Sequence, residues 1–273
     1  MPASNSADTT TTDLAAIAGG LVAAMREAGT LARSFGRPIK SWTKGGDSPV
    51  TEADIAVDKL LRERLTGAFP SFGWLSEESE DDLARLHVRH VWIVDPIDGT
   101  RAFLGGRTDW SISVALVEDG RPVVGSVFAP IEGDLFVGVA GKGATCNGIP
   151  LRTSAGEALT GARVAGPRRQ LDQLIALETG IVAEPRIHSL ALRLARVAQG
   201  RIDAAFVSGG SRDWDLAAAD LLVHEARGAL TTLSGSVLAY NRPEAGHSTL
   251  VAAGQPRHRA LTDLLRERSI KLG

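Results

Sequence analysis

Trp92-Ile93-Val94-Asp95-Pro96-Ile97-Asp98-Gly99-Thr100 is the stretch from which the rest of the chain is read. The apolar run Val91 to Val94 suits a buried strand. It delivers Asp95 at its end, where Pro96 is expected to stop further ladder pairing. Asp98 follows after two residues, and Gly99 permits a close backbone approach. Two carboxylates this near on a tight turn repel each other unless a cation sits between them. Hard oxygen donors of this kind suit Mg²⁺. A polar turn whose aspartates cap the next helix accounts for the same residues without a metal.

Upstream, Asp13 is a plausible N-cap, and Leu14, Ile17, Ala18, Leu21, Val22, Met25, Ala28, Ala32 and Phe35 recur at helical spacing. Gly36-Arg37-Pro38 ends that helix. A polar turn around residues 44–49 leads to a second helix over 52–65. After Phe69-Pro70 the pattern changes to strands. Residues 110–117, 123–128 and 135–139 are β-rich and separated by Glu118-Asp119-Gly120-Arg121-Pro122 and Pro130-Ile131-Glu132-Gly133-Asp134, which predicts an antiparallel meander. Gly143 to Gly148 reads as a turn. Beyond Thr153 strands and helices alternate: helices over 189–199, 216–226 and 257–268, strands over 202–207, 229–233 and 249–253. The expectation is an α+β N-terminal lobe (13–152), an α/β C-terminal lobe (153–273) and a disordered lead-in (1–12).

Composition sets outer bounds. With 273 residues, 44% of them apolar and 23% charged, the chain suits a globular protein with a substantial core. The formal net charge of -2 gives no electrostatic reason to bind nucleic acid polymers or anionic membranes. All but five of the 30 basic residues are Arg, which suits phosphate recognition, although a solvated surface explains most of them. No stretch was expected to approach the ~20 apolar residues of a membrane helix, and Met1 to Asp8 lacks the basic start and apolar core of a signal peptide. The single cysteine, Cys146, excludes an intramolecular disulfide and a multi-cysteine metal site. A reducing, cytoplasmic compartment fits best.

Three further acidic segments stand out, each with an ordinary explanation. Thr51-Glu52-Ala53-Asp54 opens the second helix and reads as a capping motif. Ser76-Glu77-Glu78-Ser79-Glu80-Asp81-Asp82 reads as a solvated acidic loop. Arg212-Asp213-Trp214-Asp215 places Asp215 at a helix start, where N-capping is the default. The gap between Asp95 and Asp98 counts against an aspartyl-phosphate phosphatase of the haloacid dehalogenase type, whose two aspartates are one residue apart.

Taken in order, Asp47 to Asp54, Glu77-Glu78-Ser79, Asp95 to Thr100 and Trp214-Asp215-Leu216-Ala217-Ala218 resemble the motifs of the inositol monophosphatase superfamily of metal-dependent, lithium-sensitive phosphatases. Gly141 to Gly148 looks like that family's turn after its meander. The resemblance covers nearly the whole chain after residue 13 and implies a layered αβαβα sandwich. It also implies two Mg²⁺ ions, with a third open: Glu77, Asp95 and the Ile97 carbonyl would hold one, and Asp95, Asp98 and Asp215 the other. Metals about 4 Å apart can stabilise both the attacking and the leaving oxygen. By the same resemblance, Thr100 and Asp54 orient a metal-activated water and accept its proton, and the amides of Gly99 and Thr100 bind phosphate oxygens. The partner implied is a small phosphorylated metabolite, and homodimers are common among such proteins.

The leaving group is a separate question. Residues 207–213 contain no Glu, the residue with which inositol monophosphatases commonly contact inositol hydroxyls. The 47–54 string, the flow from Trp110 into the meander and Ser189-Leu190 look more like bacterial 3'(2'),5'-bisphosphate nucleotidases, although Ala191 stands where those enzymes carry Lys. The expectation is therefore hydrolysis of 3'-phosphoadenosine 5'-phosphate to AMP, with inositol 1-phosphate or another sugar or histidinol phosphate as the alternative. A binding protein without catalysis would have lost metal carboxylates, and none is missing. His188 reads as a capping or surface histidine before a substrate ligand.

Overall fold

The computed structural model describes residues 13–44 and 48–267. The expectations for residues 1–12, for the middle of the 44–49 turn and for Arg268 lie outside the described residues. In chain order the elements are α1 (Leu14–Ser34), β1 (Ser41–Lys44), β2 (Ser48–Thr51), α2 (Glu52–Ala68), β3 (Gly73–Ser76), a 3₁₀ turn (Leu83–His87), β4 (His90–Asp98) and α3 (Thr100–Leu104). Then come β5 (Ser111–Glu118), β6 (Arg121–Ala129), β7 (Asp134–Val139), β8 (Gly143–Cys146), β9 (Ile149–Pro150), β10 (Arg163–Ala165) and α4 (Arg168–Leu177). The chain continues through β11 (Val182–Ala183), α5 (Leu190–Ala198), β12 (Ala204–Val207), α6 (Asp213–Glu225), β13 (Gly228–Thr232), β14 (Leu250–Gly254) and α7 (Gln255–Glu267).

Five layers result. The seven-stranded sheet runs β3-β4-β5-β6-β7-β8-β9, antiparallel except for the parallel β3–β4 pair. The five-stranded sheet runs β11-β10-β12-β14-β13, with β10 parallel to β11 and β12, and β14 antiparallel to its neighbours. Helices α1 and α2 cover one face of the larger sheet, α5 and α6 lie between the sheets, and α4 and α7 cover the far face of the smaller one.

Strand alternation explains why the apolar runs are continuous. In β4, Trp92 and Val94 face the α1/α2 layer while Val91 and Ile93 face the α5/α6 layer, so both faces need apolar side chains. In β12, Ala205 and Val207 face α5/α6, and Ala204 and Phe206 face α4/α7. The α5/α6 layer draws its partners from both sheets.

The helix expected from the Asp13 cap forms, with the Asp13 carboxylate accepting the Ala15 and Ala16 amides. Contrary to the expectation, α1 is long and apolar enough, by length and composition, to cross a membrane. Its hydropathy comes from many small Ala residues and not from a run of large side chains. Its Leu21, Met25, Ala28 and Ala32 are buried in the core it shares with α2 and the sheet. The 143–148 segment is not all turn. Cys146 lies buried on β8, and only Asn147-Gly148, both at positive φ, make the hairpin reversal into β9. At the end of α6, Arg227 takes φ +66°, so the backbone keeps the left-handed bend without glycine.

The central layer constrains one strand position tightly. A Cβ on Gly125 of β6 would lie 3.0 Å from the Ala218 carbonyl oxygen and 3.1 Å from its Cα on α6. Gly125→Val is expected to lower stability by about 1–3 kcal/mol through overpacking. Calorimetry checks this, and an unchanged Tm would show that α6 does not seat on β6 there.

Candidate metal centre and substrate cleft

Pro96 does not end β4 as expected. The ladder to β5 pairs Asp95 with Ser113 and resumes at Asp98 opposite Ser111, so three steps on β4 match two on β5. The extra residue is a β-bulge at Pro96-Ile97, where a strand tolerates a missing N–H. In a regular strand, residues three apart point to opposite faces. Absorbing one residue puts Asp95 and Asp98 on the same face.

Gly99 follows at φ +92°, and a Cβ there would lie 3.1 Å from the Ser189 amide nitrogen. Glycine is required twice over, by conformation and by the close approach of the segment that opens α5. That approach gives Asp98 its partners. Its Oδ2 accepts the Ser189 hydroxyl and the Ala191 amide, each at 2.6 Å. Ser189 is the N-cap of α5, so Asp98 sits on a helix N-terminus.

Asp54 satisfies its ordinary reading and a second one. As the third residue of α2 it closes a capping box: its Oδ2 accepts the Thr51 amide at 2.9 Å and the Thr51 hydroxyl at 2.5 Å. Its other oxygen, Oδ1, lies 3.3 Å from the Thr100 hydroxyl, which is also 3.1 Å from the Ile97 carbonyl. The cap fixes the carboxylate, and the free oxygen reaches Thr100. Burial raises the Asp54 pKa against the hydrogen bonds from Thr51.

Asp215 also stands third in its helix, and its Oδ2 accepts the Arg212 amide at 2.6 Å. One carboxylate oxygen from each of Asp95, Asp98 and Asp215 falls within 4.8 Å of the others. Glu77 follows β3, its amide extending the parallel ladder to the Val94 carbonyl. It stands beside that triad and not within it. The 76–82 run is therefore not simply a solvated loop, because Glu77 turns into the same cleft of about 300 Å³ as Asp95, Ile97, Asp98, Gly99, Thr100 and Asp215.

The electrostatics show what this set lacks. Burial, then Glu78 and Asp215, push Glu77 up to about 8, against the pull of Lys44. Burial and Asp98 push Asp215 up to about 7. Asp95 is driven well above the usual carboxylate range by burial and by Glu77, Asp98 and Asp215. Its Oδ1 is buried and accepts no hydrogen bond. An orphaned anionic oxygen among converging carboxylates fits a hard divalent cation, which supplies the missing charge.

Asp58 and Asp109 contribute without having been singled out in the sequence, and His188 takes a position other than the cap. Asp58, one turn after Asp54 on α2, accepts the Ser76 hydroxyl at 2.5 Å and the Ser79 hydroxyl at 2.6 Å, which holds the segment bearing Glu77. Its position at i+4 from Asp54 was the only available signal. His188 is not the helix cap, which is Ser189. Its Nδ1 lies 2.7 Å from Asp109 Oδ2, which also accepts the His188 amide, and its ring lines the cleft. Against the cost of burial, hydrogen bonds from Arg107 and His188 hold Asp109 down at about 2.

Five alternating layers with a buried carboxylate centre able to hold a metal match the family of phosphoric monoester hydrolases found by comparison. The profile of the inositol monophosphatase family matches residues 7–270, and the chain belongs to that family. It is 36% identical over 227 residues to the inositol-1-monophosphatase of Rhizobium meliloti (79% of this chain, 85% of the relative). It is 33% identical over 248 residues to the Nus factor SuhB of Escherichia coli (86% and 90%). Among solved structures, the extragenic suppressor protein suhB of Bartonella henselae superposes with a TM-score of 0.81 at 31% identity, covering 92% of this chain and 99% of that one.

The raised carboxylates predict an inverted stability profile for metal-free protein. An acid whose folded pKa exceeds its unfolded value of about 4 is bound more tightly to its proton in the folded state. Stability is then lost as pH rises from there to about 8, the Glu77 value, with Asp215 contributing up to about 7. In EDTA the Tm should fall between pH 5 and 8, Mg²⁺ should raise it more at pH 8 than at pH 5, and Asp215→Asn should flatten the slope. A Tm in EDTA that climbs across this window would contradict the assignment.

Proposed function

We propose that this protein is a Mg²⁺-dependent phosphatase that hydrolyses a phosphate monoester of a small polyol or sugar, with inositol 1-phosphate as the reference substrate. One observation carries the reading: the Asp95, Asp98 and Asp215 oxygens converge beside the Thr100–Asp54 pair in a single cleft. Asp95, Asp98 and Asp215 would hold one Mg²⁺, and Glu77, Asp95 and the Ile97 carbonyl a second. The Ile97 oxygen can serve a metal as well as Thr100, since a carbonyl has two lone pairs. Bound Mg²⁺ would neutralise the phosphate and lower the pKa of water at the site.

The chain's own residues would do the rest. When the Thr100 hydroxyl points to Asp54 Oδ1 rather than to the Ile97 carbonyl, its lone pair faces the cleft and would accept a proton from the attacking water as its own passes to Asp54. Asp54, made more basic by burial, draws the proton away. Since positioning and charge neutralisation dominate phosphoryl transfer, no covalent nucleophile is needed.

The relatives' names support a polyol phosphate over a nucleotide. The nucleotidase expectation leaned on the 47–54 string, on the run from Trp110 into the meander and on Ser189-Leu190; of these, Ser189 caps α5 and donates to Asp98, a role that needs no nucleotide.

Asp95→Asn should abolish Mg²⁺-dependent turnover in a folded protein, because a central anionic ligand is lost at nearly constant volume. Thr100→Ala should lower kcat by about 10²–10⁴ with little change in phosphate affinity. Steady-state kinetics on inositol 1-phosphate, with circular dichroism to verify folding, checks both. Near-normal turnover by folded Asp95→Asn would sink the metal assignment.

A further inference from the structure

Glu77 and Asp215 reach the carboxylate cleft on two separate segments, one following β3 and the other opening α6. A single loop, residues 241–247, touches both. At the α6 end, residues 245–247 run alongside 210–213. The Gly210 amide donates to the His247 carbonyl at 2.8 Å, the His247 amide to the Ser211 carbonyl at 2.8 Å and the Asp213 amide to the Ala245 carbonyl at 2.9 Å. The fully buried Asp213 carboxylate completes the seam, with Oδ1 2.6 Å from His247 Nε2 and Oδ2 accepting the Asn241 amide at 2.8 Å. At the other end, the buried Arg85 guanidinium donates to Asn241 Oδ1 at 2.6 Å and to the Arg242 carbonyl at 3.2 Å. Asn241 Nδ2 returns a hydrogen bond to the Arg85 carbonyl. Arg85 also grips both oxygens of Asp81, four residues beyond Glu77, at 2.6 and 2.8 Å. Asp81, Arg85, Asn241, Asp213 and His247 therefore form one continuous chain of hydrogen bonds between the two segments.

Folding alone gives little reason for Asp213. It adds a buried negative charge two residues from Asp215, beside a centre already crowded with carboxylates. A neutral side chain could join the same loops without that cost. What the carboxylate adds is strength, because hydrogen bonds to a charged group hold more firmly than neutral ones. Partners behind metal ligands orient them and tune the affinity of the site.

We propose that the 241–247 loop is a strut that sets the spacing of Glu77 and Asp215 for the metal ions, with Asn241 and Asp213 as positioning residues. Asn241 fixes the Glu77 segment through Arg85, and Asp213, braced by His247, fixes the start of α6. The proposal rests on the metal-centre reading of the cleft. Neither Asn241 nor Asp213 lines that cleft, so each acts through another residue.

Two substitutions cut the strut at different points. Asn241→Gly suits the φ of +55° at that position and keeps the amide that Asp213 accepts, but removes the link to Arg85. His247→Phe removes the donor to Asp213, whereas His247→Gln retains one. Mn²⁺ serves as the probe, its binding read without substrate from the electron paramagnetic resonance of the free ion. Asn241→Gly and His247→Phe should each weaken Mn²⁺ binding about tenfold, and His247→Gln should recover most of that loss. In turnover, the half-saturating Mg²⁺ concentration should rise by a larger factor than kcat at saturating Mg²⁺ falls. A loop that only supports the fold would lower the Tm in EDTA and leave the Mn²⁺ affinity of folded variants intact, which overturns the strut. Equal weakening by His247→Gln and His247→Phe overturns it too. Should His247→Phe not fold, Asn241→Gly decides alone. Asp95→Asn separates the two readings. If it binds Mn²⁺ as well as the unsubstituted chain does, the metal centre itself fails. If it loses Mn²⁺ while Asn241→Gly and His247→Phe bind normally, only the strut fails.

Discussion

The bulge at Pro96-Ile97 is the constraint on which the site depends. It converts a spacing of three residues, which a strand would split between its faces, into a pair of carboxylates on one face. Asp95 and Asp98 thereby meet in a place from which water is largely excluded, and each raises the cost of ionising the other. The rest of the site manages that cost. Deleting the bulged residue would leave both aspartates in the chain and send one of them to the other layer.

Three helix starts share the task. Asp54 is the third residue of α2, Asp215 the third residue of α6, and Asp98 binds the first turn of α5. Amides at a helix N-terminus carry partial positive charge and lack partners within the helix. Directing three of them toward one acidic cleft offsets part of the repulsion before any cation arrives. It also fixes each carboxylate through a backbone hydrogen bond, which is stiffer than a contact between two long side chains. The motifs that read as caps are caps, and capping is how the carboxylates are aimed. The structural and functional explanations of Asp54 and Asp215 are therefore the same explanation.

The layered core holds these helix starts in register. Because α5 and α6 pack between two sheets, a shift in either sheet would be felt at Asp98, Ser189 and Asp215 together. Asp58 adds a local brace, holding Ser76 and Ser79 on either side of Glu77. A second cavity beside Asp215 is lined by Arg168, Arg186 and Arg193 as well as by Glu184.

Much of the arrangement was legible in the chain itself. The periodicity of α1 and α2, the meander from β5 to β7 and the acidic motifs are local patterns, and local patterns survive without knowledge of the fold. Short elements such as β3, β10, β11 and α4 were not read, because each has too few residues for its period to show. The residues Asp54, Glu77, Asp95, Ile97, Asp98, Thr100 and Asp215 were all nominated from sequence, and their order identified the family. What the sequence could not give was which oxygens meet. Asp98 and its partner Ser189 lie 91 residues apart, and the Asp109–His188 pair 79 apart. Arg193 and the 208–211 segment line one cavity because α5 and β12 are neighbours in the fold. Opposed charges and hydrogen-bond geometry act over a few ångströms, so the chain determined the kinds of group present, and the packing of five layers decided their distances.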